Sequence, residues 1–182
     1  LLTFLRILLI PIIVGVFYAP IAHANLIACA LFGLAALTDW LDGYLARKLN
    51  QTTAFGAFLD PVADKITVAV ALTLLVEVPA VWWLTLPAIV IIGREIVISA
   101  LREWMAEAGQ RANVAVSYIG KIKTTAQMIA IALLLAFLPD HKYMWTGLIL
   151  LYIAALLTLW SMFVYLQAAW LSISENNKAE GE

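Results

Sequence analysis

Four aspartates, two glycines and an arginine share one short stretch of an otherwise apolar chain. It reads Asp39-Trp-Leu-Asp42-Gly43-Tyr-Leu-Ala46-Arg47, then eight residues, then Gly56-Ala-Phe-Leu-Asp60-Pro61-Val-Ala-Asp64. Asp39 and Asp42 are three apart, and Asp60 and Asp64 four apart, so each pair lies on one helix face. The polar run Lys48-Leu-Asn50-Gln51-Thr52 reads as a turn that makes the two helices antiparallel neighbours. Counted from residue 51, Asp42 and Asp60 are each nine positions away, and Asp39 and Asp64 twelve and thirteen. The spacing therefore predicts two matched levels of carboxylates, about 13 and 18–20 Å from the turn at ~1.5 Å per residue. Carboxylates gathered this closely cannot all ionise without compensating charge, and Arg47 with Lys65 supplies too little. Mg²⁺ or Mn²⁺ with retained waters suits carboxylate-only ligation. Asp39, Asp42, Asp60 and Asp64 are thus candidate metal ligands, and no His or Cys stands at zinc-like spacing. Gly43 and Gly56 each cost a helix about 1 kcal/mol relative to alanine, and bare backbone there admits a close neighbour or a substrate. Pro61 is expected to bend its helix beside the carboxylates.

The elements that must hold this stretch are apolar. The chain has 182 residues, 64% hydrophobic and 13% charged, with a mean hydropathy of +0.96. Soluble domains are usually about half apolar and a quarter charged, so an all-α integral membrane protein is expected. A span needs about 20 apolar residues, and six segments qualify: 2–22, 25–48, 53–78, 81–108, 119–138 and 143–173. The polar tail 174–182 is expected to fray. The whole chain, 1–182, reads as a single domain with its polar motif at 39–64. Leu1 is not a methionine, which predicts a short leader ahead of it. Cys29 has no cysteine to pair with, and a net charge of −1 gives no bulk attraction to nucleic acid.

Orientation follows from the basic residues. Arg47, Lys48, Arg102, Arg111, Lys121, Lys123 and Lys178 fall at one set of helix ends and Lys142 at the other. The positive-inside rule puts the first set in the cytoplasm. Both termini and the 39–64 hairpin then face the cytoplasm, so the site between the helices opens there. His23 and His141 fall at the opposite ends and are not expected to be catalytic.

The residues of the stretch match D-x2-D-G-x2-A-R-x8-G-x3-D-x3-D at every fixed position. This pattern is the signature of the CDP-alcohol phosphotransferases, which the chain resembles. Leu2-Thr3-Phe-Leu-Arg6, Gly93-Arg94-Glu95-Ile-Val-Ile-Ser99-Ala-Leu101-Arg102-Glu103-Trp104 and Gly120-Lys121-Ile-Lys123-Thr124-Thr125-Ala-Gln127 extend the likeness to the family's bacterial phosphatidylglycerophosphate synthase branch. The resemblance implies an enzyme of the bacterial inner membrane, in phosphatidylglycerol and cardiolipin biosynthesis, that works as a homodimer. CDP-diacylglycerol and sn-glycerol 3-phosphate would give phosphatidylglycerophosphate and CMP. Carried over by position, Asp39, Asp42 and Asp60 bind metal, Asp64 faces the metals and is the base for the attacking hydroxyl, and Gly43 and Arg47 lie against CDP. Two ions are consistent with that chemistry, because a pair can steady the attacking and leaving oxygens.

A phosphorylated acceptor needs a second cationic pocket. Arg94 and Arg102 are eight apart on the fourth helix, about 80° around it. Arg94 lies well inside the span, where an unpaired cation is expensive, and Glu95 is expected to face elsewhere. Both arginines are read as phosphate binders. Lys121 and Lys123 point to nearly opposite sides if both are helical, so one reaches the pocket and the other snorkels. Other acceptors in the family are inositol phosphate, serine and lipid alcohols. An intramembrane prenyltransferase would also use aspartates, Mg²⁺ and a pyrophosphate, but with more helices and without this Gly-Ala-Arg-Gly spacing. A cation transporter would need a path open at both faces, whereas all four aspartates lie toward one.

Overall fold

In the computed structural model the described residues form six helices in succession: α1 (Leu2–Tyr18), α2 (Ala24–Leu49), α3 (Ala54–Glu77), α4 (Trp82–Glu107), α5 (Tyr118–Phe137) and α6 (His141–Ala179). The structure describes residues 2–49, 54–77, 82–107, 118–137 and 141–179, without the side chains of 2, 40, 43–49, 54, 57, 118–121, 141, 142 and 171–179.

Most boundaries fall within one or two residues of those expected, and two differ. The first helix ends at Tyr18, not at residue 22. Pro20 disfavours helical geometry at Ala19, and the chain turns through backbone bonds from Ala19 N to Val16 O and from Ile21 N to Ala19 O. His23 completes the turn with φ at 62°, the left-handed region. The last helix continues to Ala179, through most of the stretch expected to fray. Once a helix is nucleated each further residue adds a backbone bond at little cost, and Glu, Lys and Ala are good helix formers. Helix α3 likewise runs through Pro61 without a break in assignment.

Helix α1 packs against α2 and α3, α4 against α3 and α6, and α5 against α2, α3 and α6. The α5–α6 contact is the closest. A Cβ added at Gly147 would stand 2.8 Å from Leu134 Cγ and 3.3 Å from its backbone nitrogen, so only glycine permits this approach. The interior is divided along the helix axes. One part is apolar and is filled by Phe32, Leu72, Leu75, Ile91, Leu134 and Leu151. The buried polar side chains are Thr3 and Arg6 at the start of α1, Thr38 late in α2, Thr67 in α3, Lys123 and Gln127 early in α5, and Thr158 in α6. The motif thus stands at the polar end of a bundle whose other end is a dry core.

The outside is apolar as well. Leu8, Ile89, Leu156, Phe163 and Trp170 are among many large hydrophobic side chains left exposed. Water would not tolerate such a surface on a monomer, whereas hydrocarbon covers it. Among the described residues, Trp82–Glu107 and Tyr143–Trp170 are each long and apolar enough to cross a membrane. Thr3–Tyr18, Ala24–Asp39 and Ile122–Phe137 are shorter apolar helices. Length and composition, together with the exposed apolar girdle, mark a membrane protein.

Candidate active site

The start of α1 inserts between the two halves of the motif. Thr3 Oγ1 lies 2.8 Å from Asp42 Oδ2 and 2.5 Å from Asp60 Oδ1. Asp42 on α2 and Asp60 on α3 therefore stand at one level, as counting from the turn predicts. A hydroxyl has one proton to donate, so Thr3 can satisfy only one of these carboxylates at a time. The other keeps an uncompensated oxygen beside a second anion. Arg6, one turn further along α1, is only 1% exposed. Its Nη1 is 2.6 Å from Asp39 Oδ1. The contact is one of charge rather than alignment, since none of the guanidinium nitrogens makes a directed hydrogen bond.

Among the described residues no three His, Cys, Asp or Glu side chains close on a common point as a metal cluster. Thr3 meets Asp42 and Asp60, Arg6 meets Asp39, and Asp64 lines the adjoining cavity. The donor set still fits a hard divalent cation, being all oxygen, with two carboxylates converging on one hydroxyl that cannot satisfy both.

Asp64 opens onto a cavity of 290 Å³ that it shares with Lys65, Arg94, Arg102, Lys123 and Gln127. Two helices beyond the motif, α4 and α5, thus bring their polar residues to one carboxylate. Arg94 Nη1 contacts Glu95 Oε1 at 2.7 Å, and Arg94 Nη2 donates to Ser161 Oγ on α6 at 3.0 Å. Lys123 Nζ reaches the same Glu95 Oε1 at 3.2 Å. Glu95 was expected to face away from Arg94 because adjacent helical positions diverge at Cβ. The structure corrects this. Both side chains are long, their surroundings are apolar, and both line the polar cavity beside Asp64. The Arg102 guanidinium sits over the Tyr165 ring, 5.2 Å from its centroid. Lys65 donates to Ser99 Oγ across the α3–α4 seam and lines the same cavity as Asp64.

Of the two lysines left open by the sequence, Lys123 lines the cavity and is 4% exposed. Gly43, Arg47 and Lys121 lie on helical backbone, and their side chains fall outside the described residues. Sequence reasoning missed Thr3, Arg6, Glu95 and Gln127 as parts of the site. Arg6 carried a usable signal, since an ionisable residue in an apolar helix is a functional candidate by default. Thr3 carried none, because a lone threonine near a helix start is also a common cap.

The comparison with known proteins now bears on this geometry. A model of the CDP-alcohol phosphatidyltransferase family matches residues 1–173. The chain belongs to that family. It is 58% identical over 174 residues to the CDP-diacylglycerol–glycerol-3-phosphate 3-phosphatidyltransferase of Yersinia enterocolitica serotype O:8, covering 96% of this chain and 95% of that one. It is 58% identical over 169 residues to the protein of the same name from Salmonella choleraesuis, covering 93% and 92%.

Proposed function

We propose that this chain transfers the phosphatidyl group of CDP-diacylglycerol to sn-glycerol 3-phosphate, forming phosphatidylglycerophosphate and releasing CMP. The observation that carries this reading is the cavity in which Asp64 faces Arg94, Arg102 and Lys123. It offers a proton acceptor and a phosphate-binding group in one small space. Arg94 and Lys123 are held by a single glutamate, so an incoming phosphate finds them already placed. The glycerol 1-hydroxyl attacks the lipid-side phosphorus, its proton passes to Asp64, and the bond to the CMP oxygen breaks. Positioning and charge stabilisation are most of what such a transfer needs. Gly43 and Arg47 lie against CDP. Arg102 guides the acceptor phosphate at the cavity's exposed side, and Lys121, about 200° around α5 from Lys123, snorkels toward the headgroups.

Asp39, Asp42, Asp60 and Asp64 would hold two Mg²⁺ or Mn²⁺ ions, which when bound neutralise the pyrophosphate. The six helices span the bacterial inner membrane with both termini and the site toward the cytoplasm. That placement lets a lipid donor and a water-soluble acceptor meet at the bilayer surface. The chain works as a homodimer within one domain.

Purified protein given CDP-diacylglycerol and labelled glycerol 3-phosphate is expected to move label into the lipid phase. Chelation with EDTA should lower that incorporation by at least about 10²-fold, and Mg²⁺ or Mn²⁺ should restore it. No labelled lipid under any condition would overturn the activity. Full incorporation in EDTA would overturn the metal reading alone.

A further inference from the structure

Two buried polar atoms at the Asp64 cavity have no partner, and they are of opposite kinds. Arg94 Nε is a donor and Gln127 Oε1 an acceptor. Gln127 is 4% exposed. It lines the cavity with Asp64, Arg94 and Lys123, one helical turn beyond Lys123 on α5. Native interiors rarely leave such groups unpaired, and one small molecule carrying both an anion and a hydroxyl would resolve both. The anion answers Arg94. It does not answer Gln127, because a phosphate dianion has no proton to give to a carboxamide oxygen. Lys123 does not bond it either: its Nζ lies against Glu95 Oε1, and Gln127 Oε1 has no partner.

We propose that Gln127 is a specificity-determining residue that hydrogen-bonds the secondary hydroxyl of the glycerol phosphate acceptor. This rests on the phosphatidyl-transfer reading above. The acceptor has two hydroxyls. The primary one loses its proton toward Asp64 as it attacks, so the secondary one is left to fill the orphaned site. A site built around a hydroxyl rejects an analogue lacking it, because the protein group is then stranded.

The test compares sn-glycerol 3-phosphate with 3-hydroxypropyl phosphate, which keeps the phosphate and the attacking hydroxyl and lacks only the secondary one. The wild-type protein is expected to show kcat/KM lower by about 10- to 100-fold on the analogue. In Gln127→Met, activity on glycerol 3-phosphate should fall by about the same factor, while activity on the analogue holds, so the ratio collapses toward unity. Gln127→Leu replaces it should the methionine variant fail to elute as folded protein. Equal use of both acceptors by wild type overturns the proposal, as does a folded variant that keeps the wild-type ratio. Wild-type protein that turns over neither acceptor refutes the phosphatidyl-transfer reading, and this inference with it.

Discussion

Asp64→Asn is expected to lower kcat with glycerol 3-phosphate by about 10²–10⁴-fold, the range a positioned general base contributes. Asparagine keeps the size and shape of the side chain and removes its basicity and charge. Among the described residues, Asp64 is the one motif aspartate that also lines the cavity with Arg94, Arg102 and Lys123. In the proposed reaction it is therefore where the attacking hydroxyl and the motif come together. The acceptor phosphate is held by other residues, so KM for glycerol 3-phosphate should move far less than kcat. The protein should remain folded, which size-exclusion elution and the thermal midpoint in detergent would show. Initial rates of CMP release measure the effect, and wild-type kcat in a folded variant would remove Asp64 from the chemistry.

Arg94→Ala should act on the acceptor and not on the lipid nucleotide. Truncating one partner of a buried charge pair costs about 2–5 kcal/mol, or roughly 30- to several-thousand-fold in kcat/KM for glycerol 3-phosphate. Arg94 bonds Glu95 and Ser161 in the free protein. Its loss would remove the phosphate's donor and leave Glu95 holding Lys123 alone, with an anion facing the incoming phosphate. Arg94→Lys should recover part of the loss, since a lysine restores the charge without the planar fork. KM for CDP-diacylglycerol is expected to stay within about twofold, because surface-separated sites are nearly additive. Equal weakening of both substrates, or unchanged kinetics with glycerol 3-phosphate, would contradict this role.

How much of this was legible depended on whether the signal was local. The six helices followed from apolar runs, and the pairing of α2 with α3 from a short polar turn. The level shared by Asp42 and Asp60 followed from counting residues, and the structure joins them through Thr3. What could not be read was the contribution of α1. Arg6 and Thr3 reach the motif across 33 and 39 positions of chain, and no periodicity reports such a contact. The Arg94–Glu95 pair was misjudged for a related reason. Helical spacing gives the direction of Cβ but not the reach of a long side chain in an apolar setting, where the polar cavity is the one place to go. Gln127 looked unremarkable in the sequence because an orphaned acceptor is defined by what surrounds it.

The central claim is that a phosphate-binding cavity is built onto the carboxylate that activates the alcohol. The most direct measurement is CMP release by purified protein from CDP-diacylglycerol across a set of alcohols: sn-glycerol 3-phosphate, glycerol, serine and inositol phosphate. Release with glycerol 3-phosphate, exceeding that with unphosphorylated glycerol by at least about 10²-fold in kcat/KM, is the predicted result. Comparable release with glycerol, or release with serine or inositol phosphate in place of glycerol 3-phosphate, would contradict it.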